Sequence, residues 1–200
     1  MATGAALVVH ILVDVPLWLS ALATVSAAAA VLVIGARRHP ADHQGGRQVI
    51  AAGALSAVAA LVAYDVTRIV VCDVFDFTVT PFAAFKFFGA GLLGQGASPT
   101  AKWVAGTAFH VTNAITFGIA YTVLAGRQPT RRRALGAGMA FGLGLEAVML
   151  GLYPAWLQIP NMREFFSMSL CGHLAYGSTL GALAYHQLVR LEAQAQAAPA

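Results

Sequence analysis

The sequence predicts an all-α polytopic membrane protein, folded as a single domain over residues 1–200. Three observations carry this prediction. Of the 200 residues, 58% are hydrophobic and only 10% are charged, whereas a soluble domain carries about 25% charged residues. The mean hydropathy is +0.71. Five apolar stretches are each long enough to cross about 30 Å of hydrocarbon, so lipid is expected to cover most of the chain.

The five apolar stretches define the expected spanning helices. Segments that contain Pro, Gly and Arg separate them, such as Gly45-Gly46 in the first loop and Pro129 in the third. The first stretch lacks a basic segment before it and is too long for a signal peptide, so we expect one retained, continuous helix there. The expected helices cover about 7–35, 49–72, 102–126, 134–156 and 165–188.

A shorter apolar segment, over about 81–94, is rich in phenylalanine. Thr80 followed by Pro81 suits the start of a helix there. About 14 residues is too short to span a bilayer. We therefore expect this segment to lie in the outer interface, or to dip in as a re-entrant segment, packed on the bundle as a lid.

The distribution of Arg and Lys predicts the orientation in the membrane. If five helices alternate, one side carries Lys86, Lys102 and Arg163, and the other carries eight arginines. The arginine-rich side is expected to be cytoplasmic, which places the N-terminus outside and the C-terminus inside. Because the basic residues cluster in these loops, the net charge of +4 does not indicate a nucleic-acid partner. The eight arginines are Arg37, Arg38, Arg47, Arg127, Arg131, Arg132, Arg133 and Arg190.

Ionisable residues interrupt every one of the five apolar stretches. A charge inside hydrocarbon costs roughly 3 kcal/mol on insertion scales, so such residues are candidates for a functional site. At 1.5 Å per residue, those of the second to fifth helices lie roughly 10–15 Å below the outer surface. A buried polar site near the outer leaflet follows. The residues are His10, Asp14, Asp65, Arg68, His110, Glu146 and His173.

The charge of this set favours a bound cation. Asp14, Asp65 and Glu146 contribute −3 if ionised and Arg68 contributes +1. The remaining −2 must be balanced by imidazolium, by protonated carboxyls or by a divalent ion. Histidine with carboxylate suits a transition metal, which would polarise a substrate oxygen or activate a water. The candidate ligands are His110, Glu146, His173 and Asp65. A b-type haem between the two histidines is a less supported alternative.

Four residues are candidates for binding substrate or forming ion pairs. Asp65 and Arg68, three apart, can pair along one helix, and Arg68 would otherwise hold an anionic group. His10 and Asp14, four apart, would share a helix face. A purely structural role is the alternative, since an intramembrane histidine often serves only as an interhelical donor. The four candidates are Arg68, Asn113, Asp14 and His10.

Small residues in the last two helices predict close helix packing. In the fourth helix these are Gly136, Gly138, Gly142 and Gly144, and in the fifth they are Gly177 and Gly181.

Four segments resemble a group of small, uncharacterised bacterial integral membrane proteins with five helices. The likeness extends from the second helix to the fifth, over about two thirds of the chain. It implies a location in the bacterial cytoplasmic membrane, and it carries over no activity. The segments are Ala63-Tyr64-Asp65-Val66-Thr67-Arg68, His110-Val111-Thr112-Asn113, Gly144-Leu145-Glu146 and Gly172-His173-Leu174-Ala175-Tyr176-Gly177.

Three functions remain open at this point. The first is a buried site that binds a metal and acts on a small or lipidic substrate. The second is a transporter or channel with a proton or cation relay. The inner half of the helices is apolar and offers no polar exit, which argues against this function. The third is a non-catalytic membrane subunit or assembly factor. Lipid is the expected partner in each, and a homo-oligomer or a membrane complex is compatible with all three.

Overall fold

The structure, a computed structural model, describes residues 2–38, 43–126, 128 and 130–197, with the side chains of 2, 31–38, 43–44 and 195 left out. This part of the chain forms seven α-helices and contains no strand, so the all-α prediction is confirmed. Arg127 and Pro129, two residues of the predicted third loop, lie outside it. The helices are α1 (Ala2–Val13), α2 (Leu17–Arg38), α3 (His43–Val74), α4 (Ala84–Leu93), α5 (Pro99–Ala125), α6 (Arg131–Leu157) and α7 (Met162–Ala197).

Three of the described helices are long and apolar enough to cross a membrane: Gly45–Val74, Pro99–Ala125 and Arg131–Leu157. Large apolar side chains are exposed along them, as at Leu124, whose side chain is 70% exposed. A soluble surface rarely carries so many exposed apolar side chains, whereas a surface that faces hydrocarbon requires them. These are features of a membrane protein. The count of five spans stays a prediction.

The first predicted helix is broken in two. The sequence predicts one helix over 7–35, but α1 and α2 are separated by residues 14–16. Pro16 has no N–H to donate, and the residue before a proline is disfavoured in the α conformation. Asp14 adopts a left-handed conformation with φ of 57°. The prediction of a continuous first helix is therefore wrong.

The long helices pack side by side in the order α6, α7, α3, α5. A Cβ added to Gly138 would overlap the backbone of Gly177, and one added to Gly181 would overlap that of Ala134. The predicted close packing is thus confirmed for the glycines of the α6–α7 contact, where backbones meet without side chains between them. It is wrong for Gly136 and Gly144, which face open space.

The short helix α4 packs along the first half of α5. A Cβ on Gly89 would overlap the backbone of Lys102, and one on Gly106 would overlap that of Phe85. The Phe-rich segment is therefore a short helix packed on one end of the bundle, where α3 and α6 end and α5 and α7 begin. We call this end of the bundle the α4 end.

The loop between α3 and α4 is attached to the start of α7. Glu164 Oε2 accepts hydrogen bonds from the Thr78 amide at 2.7 Å, the Thr78 hydroxyl at 2.8 Å and the Val79 amide at 3.1 Å. Desolvation raises the pKa of Glu164, but these hydrogen bonds outweigh it and leave the pKa below its usual value. The ionised carboxylate thus holds the loop in place.

Helices α5 and α6 touch at the opposite end of the bundle, where the Tyr121 hydroxyl donates to the Ala134 carbonyl at 3.1 Å. Toward the α4 end they have few contacts with each other, and α1 lies between them. Thr3, near the start of α1, is hydrogen-bonded to Asn113 halfway along α5. A space bounded by α1, α3, α4, α5, α6 and α7 follows from this arrangement.

Candidate functional site

A cavity of about 320 Å³ fills the space between α1 and the four long helices. Its walls are mainly Leu, Phe, Ala, Val and Met side chains. Polar side chains converge on it from four different helices. They are Tyr64 and Arg68 on α3, His110 and Asn113 on α5, Tyr153 on α6, and Ser169, His173 and Tyr176 on α7.

One histidine of the cavity is paired with a carboxylate of the neighbouring helix. His110 Nε2 lies 3.1 Å from Asp65 Oδ1 and 3.3 Å from Asp65 Oδ2. Arg68 Nη1 lies 3.7 Å from the same Oδ1, one turn along α3. The carboxylate of Asp65 therefore lies between an imidazole and a guanidinium, both of which can donate to it.

Arg68 is buried, with 6% of its surface exposed, and its position is fixed by several groups. Its Nη2 donates to the Pro81 carbonyl, and the guanidinium lies 5.0 Å from the ring centroid of Tyr64 and 5.6 Å from that of Phe82. The Nε–H has no hydrogen-bond partner in the part of the chain that the structure describes. Most buried donors in proteins are hydrogen-bonded, so this buried N–H is an exception.

The second histidine is paired with Glu146. His173 Nδ1 lies 2.7 Å from Glu146 Oε2, and the Ser169 hydroxyl donates to the same oxygen at 2.5 Å. Glu146 is only 2% exposed, and its Oε1 has no partner among the described residues. Gly142 makes this pairing possible, because it lets the backbone of α6 approach the His173 carbonyl too closely for any Cβ to fit.

Each imidazole therefore has one ring nitrogen close to a carboxylate, and that of His173 is also hydrogen-bonded to the Ser169 carbonyl at 3.1 Å. Both residues line the same cavity. Within the described residues, His110 Nδ1 and His173 Nε2 form no hydrogen bond. The Tyr64 ring contacts both imidazoles, with centroid separations of 5.8 Å to His110 and 5.0 Å to His173. A ring N–H that donates to a carboxylate leaves the other nitrogen able to accept a proton from a ligand.

The charges of this cluster nearly cancel. Asp65 and Glu146 contribute −2 and Arg68 contributes +1, so a single proton on one of the two imidazoles makes the cluster neutral. A neutral cluster is the least costly state in surroundings of low polarity.

The remaining predicted residues divide between the cavity and the surface. Asn113 lines the cavity, and its Oδ1 accepts a hydrogen bond from Thr3 at 2.5 Å. His10 packs edge-on against Trp156, with ring centroids 5.8 Å apart, and Asp14 is exposed in the break between α1 and α2. The expectation that His10 and Asp14 share a helix face is wrong, because α1 ends before Asp14.

The four predicted metal ligands are present as two pairs. His110 lies with Asp65, and His173 lies with Glu146. Across the described ranges, no three His, Cys, Asp or Glu side chains are grouped closely enough to hold a metal ion. Binding of a divalent transition metal, and of a b-type haem between the histidines, stays a prediction.

The sequence interpretation missed Tyr64 and Ser169, which line the cavity, and Thr3, which is hydrogen-bonded to Asn113. Tyr64 precedes Arg68 by four residues and Ser169 precedes His173 by four, so each shares a helix face with a residue that was identified. That spacing is a signal that could have found them. Thr3 lies before the first predicted span and offers no such signal.

No protein-family model, curated protein or solved structure matches this chain. Its function is therefore inferred from the geometry of the site.

Proposed function

We propose that the chain is a multi-pass protein of the bacterial cytoplasmic membrane, whose cavity binds an amphipathic, membrane-soluble molecule. The polar end of that molecule lies against the two carboxylate–histidine pairs, and its apolar part lies along the walls. One observation carries the proposal: two imidazoles, each with a ring nitrogen within 3.1 Å of a carboxylate oxygen, line one largely apolar cavity. Binding sites for small molecules typically combine apolar walls with a few convergent polar groups.

The proposed topology has five spans, α2, α3, α5, α6 and α7, with α1 and α4 as shorter elements near the α4 end. The starts of α3 and α6 lie at the end of the bundle opposite α4, near Arg47 and Arg131. The bias of arginine then assigns that end to the cytoplasm. The site lies on the extracytoplasmic side, α1 enters the bundle from that side, and the C-terminus is cytoplasmic.

The chemistry that suits this site is proton transfer to and from an oxygen of the ligand. A neutral imidazole backed by a carboxylate is an effective general base, and an imidazolium is a general acid. With one proton shared between His110 and His173, the site contains one of each. Ser169 does not have the geometry of an activated nucleophile, because its hydroxyl donates to the carboxylate of Glu146 rather than to an imidazole.

The rival functions receive less support from the same geometry. A relay across the membrane needs polar groups in sequence along a path, but the cavity wall farthest from α4 is made of apolar side chains such as Leu61 and Phe117. A purely structural cluster does not require a cavity beside its two histidines. The amphipathic ligand uses both the polar groups and the open space beside them.

The direct test is to identify what the purified protein retains. Protein solubilised in mild detergent is extracted with organic solvent, and the extract is analysed by mass spectrometry for wild type, His110→Asn and His173→Asn. We expect one amphipathic species whose retention falls about fivefold in each variant, the equivalent of a lost hydrogen bond of about 1 kcal/mol. His186→Asn, at an exposed position farther along α7, is the control. Equal retention in all four proteins would contradict the proposal.

The same preparations test the metal prediction. If His110, Glu146, His173 and Asp65 hold a transition metal, elemental analysis of wild type should find it in near-stoichiometric amount. His110→Ala and His173→Ala should each lower that amount, whereas His186→Ala should not. Wild-type protein without metal after reconstitution would reject metal binding and leave the amphipathic ligand.

A further inference from the structure

The cavity opens sideways, between α1 and α6. Ala5 on α1 and Val148 on α6 both line the cavity, and both are exposed, Val148 at 51%. Val8 and Leu145, beside them on the same two helices, line the cavity and are half-buried. These two helices have few contacts with each other, so an opening remains between them. We call this opening the lateral mouth.

The lateral mouth lies at a depth where hydrocarbon is expected. Val148 precedes the end of α6 at Leu157 by nine residues, which places it about 14 Å from the α4 end at 1.5 Å per residue. A bilayer has a hydrocarbon core about 30 Å thick, so such a position lies within it. The side chains that form the mouth are apolar, as a surface in contact with lipid chains requires.

At the α4 end of the bundle, the cavity is covered by α4 and by the loop before it. Phe85 and Phe88 of α4 line the cavity and are each 5% exposed. Behind them, the loop before α4 is tied down by the hydrogen bond from Arg68 to Pro81 and by those that Glu164 accepts. The described part of the chain therefore leaves the cavity more accessible from the membrane than from the water at that end.

We propose that the ligand is a lipid whose hydrocarbon chain passes through the lateral mouth, so that it exchanges with the bilayer and not with water. The head lies between the two carboxylate–histidine pairs and carries a hydroxyl or carbonyl oxygen that can exchange a hydrogen bond with an imidazole nitrogen. This inference rests on the proposed function for the position of the head. The path of the chain rests separately on the lateral mouth.

The test uses a long-chain monoacylglycerol that carries a photoreactive diazirine on its chain, in phosphatidylcholine vesicles containing the purified protein. After illumination, cross-linked peptides are mapped by mass spectrometry. In wild type we expect labelling of the α5 segment that contains Ala114 and Phe117, two side chains of the cavity wall. Val148→Trp places a large side chain in the mouth and should lower that labelling about tenfold, which corresponds to about 1.4 kcal/mol.

The matched control is Leu143→Trp. Leu143 is on the same helix and is 43% exposed, but it does not line the cavity, so its substitution should leave the labelling unchanged. Ala5→Trp closes the mouth from the α1 side and should reproduce the loss if Val148→Trp fails to fold. Wild-type protein without labelling inside the cavity, or full labelling in the folded mouth variants, would overturn the proposal.

Two further outcomes separate this inference from the proposed function. If the histidine variants lose their retained ligand while the mouth variants label normally, the proposed binding site is supported and the proposed lateral path is refuted. If the mouth variants lose labelling while the histidine variants retain the ligand, a chain enters the mouth, but the polar end does not lie at the two pairs. The second result would overturn the position of the head that the inference assumes.

Discussion

Substitution of Gly142 by alanine should weaken the contact that brings Glu146 and His173 together. A Cβ at this position would overlap the His173 carbonyl oxygen and lie 3.2 Å from its carbonyl carbon. Both atoms belong to helix backbone, which cannot rotate aside as a flexible side chain can. Helix α7 must therefore move away from α6, and the 2.7 Å contact between His173 Nδ1 and Glu146 Oε2 must lengthen.

The expected magnitude follows from comparison with Gly144→Ala. Gly144 lies two residues away on α6 and faces open space. Both substitutions gain about 1 kcal/mol of helix propensity, so this term cancels between them. What remains is the cost of overpacking, about 1–3 kcal/mol. For a chain of this size that difference lowers the melting temperature by about 2–12 °C.

The assay is thermal unfolding of the two variants in the same detergent, followed by the ligand-retention measurement. Gly142→Ala should melt below Gly144→Ala and should retain less of the amphipathic ligand, whereas Gly144→Ala should match wild type in retention. If Gly142→Ala melts at or above Gly144→Ala, the α6–α7 contact does not hold the Glu146–His173 pair in place, and the reasoning is refuted.

Three other predictions follow from the same structure. Arg68→Leu should destabilise the protein by about 3 kcal/mol, because Asp65 loses its cation, and adding Asp65→Asn should recover part of the loss; strictly additive melting shifts would show that the two do not interact. Because the pKa of Glu164 is below its usual value, its contribution to stability is present above the unfolded pKa and is lost as the pH falls through the folded pKa; Glu164→Gln should therefore flatten the loss of thermal stability in acid, and an unchanged acid profile would refute this. In a background without the native cysteines, cysteines introduced at Gly45 and Thr130 should label from the cytoplasm, and one introduced at Gly96 should label from outside. Labelling of Gly45 and Gly96 from the same side would exclude the five-span topology.

The helical class was predictable from the sequence because it depends on composition and on the length of apolar runs. The described residues accordingly form seven helices, of which three are long and apolar enough to span a membrane. The break at residues 14–16 was missed because the apolar run continues through it. Pro16 carried the relevant signal, since it disfavours helix at the residue before it, and the hydrophobicity of the stretch obscured that signal.

The sequence could predict that the polar residues lie at a similar depth in the membrane, but not which of them pair with each other. Distance along each helix places Asp65, His110, Glu146 and His173 at a similar level, but it does not say which helices are neighbours. That depends on the packing order, and close backbone contacts at small residues such as Gly142 set part of it. The cavity was not predictable at all, because it exists only where α5 and α6 separate and α1 lies between them.

The central claim is that the cavity between the two carboxylate–histidine pairs holds a lipid-like molecule. An experimental density map of the protein in lipid nanodiscs, without added ligand, tests it most directly. We predict elongated density that begins between His110 and His173 and continues between Ala5 and Val148 to the bilayer. A cavity that contains only ordered water, or one closed by contact of Ala5 with Val148, would contradict the claim.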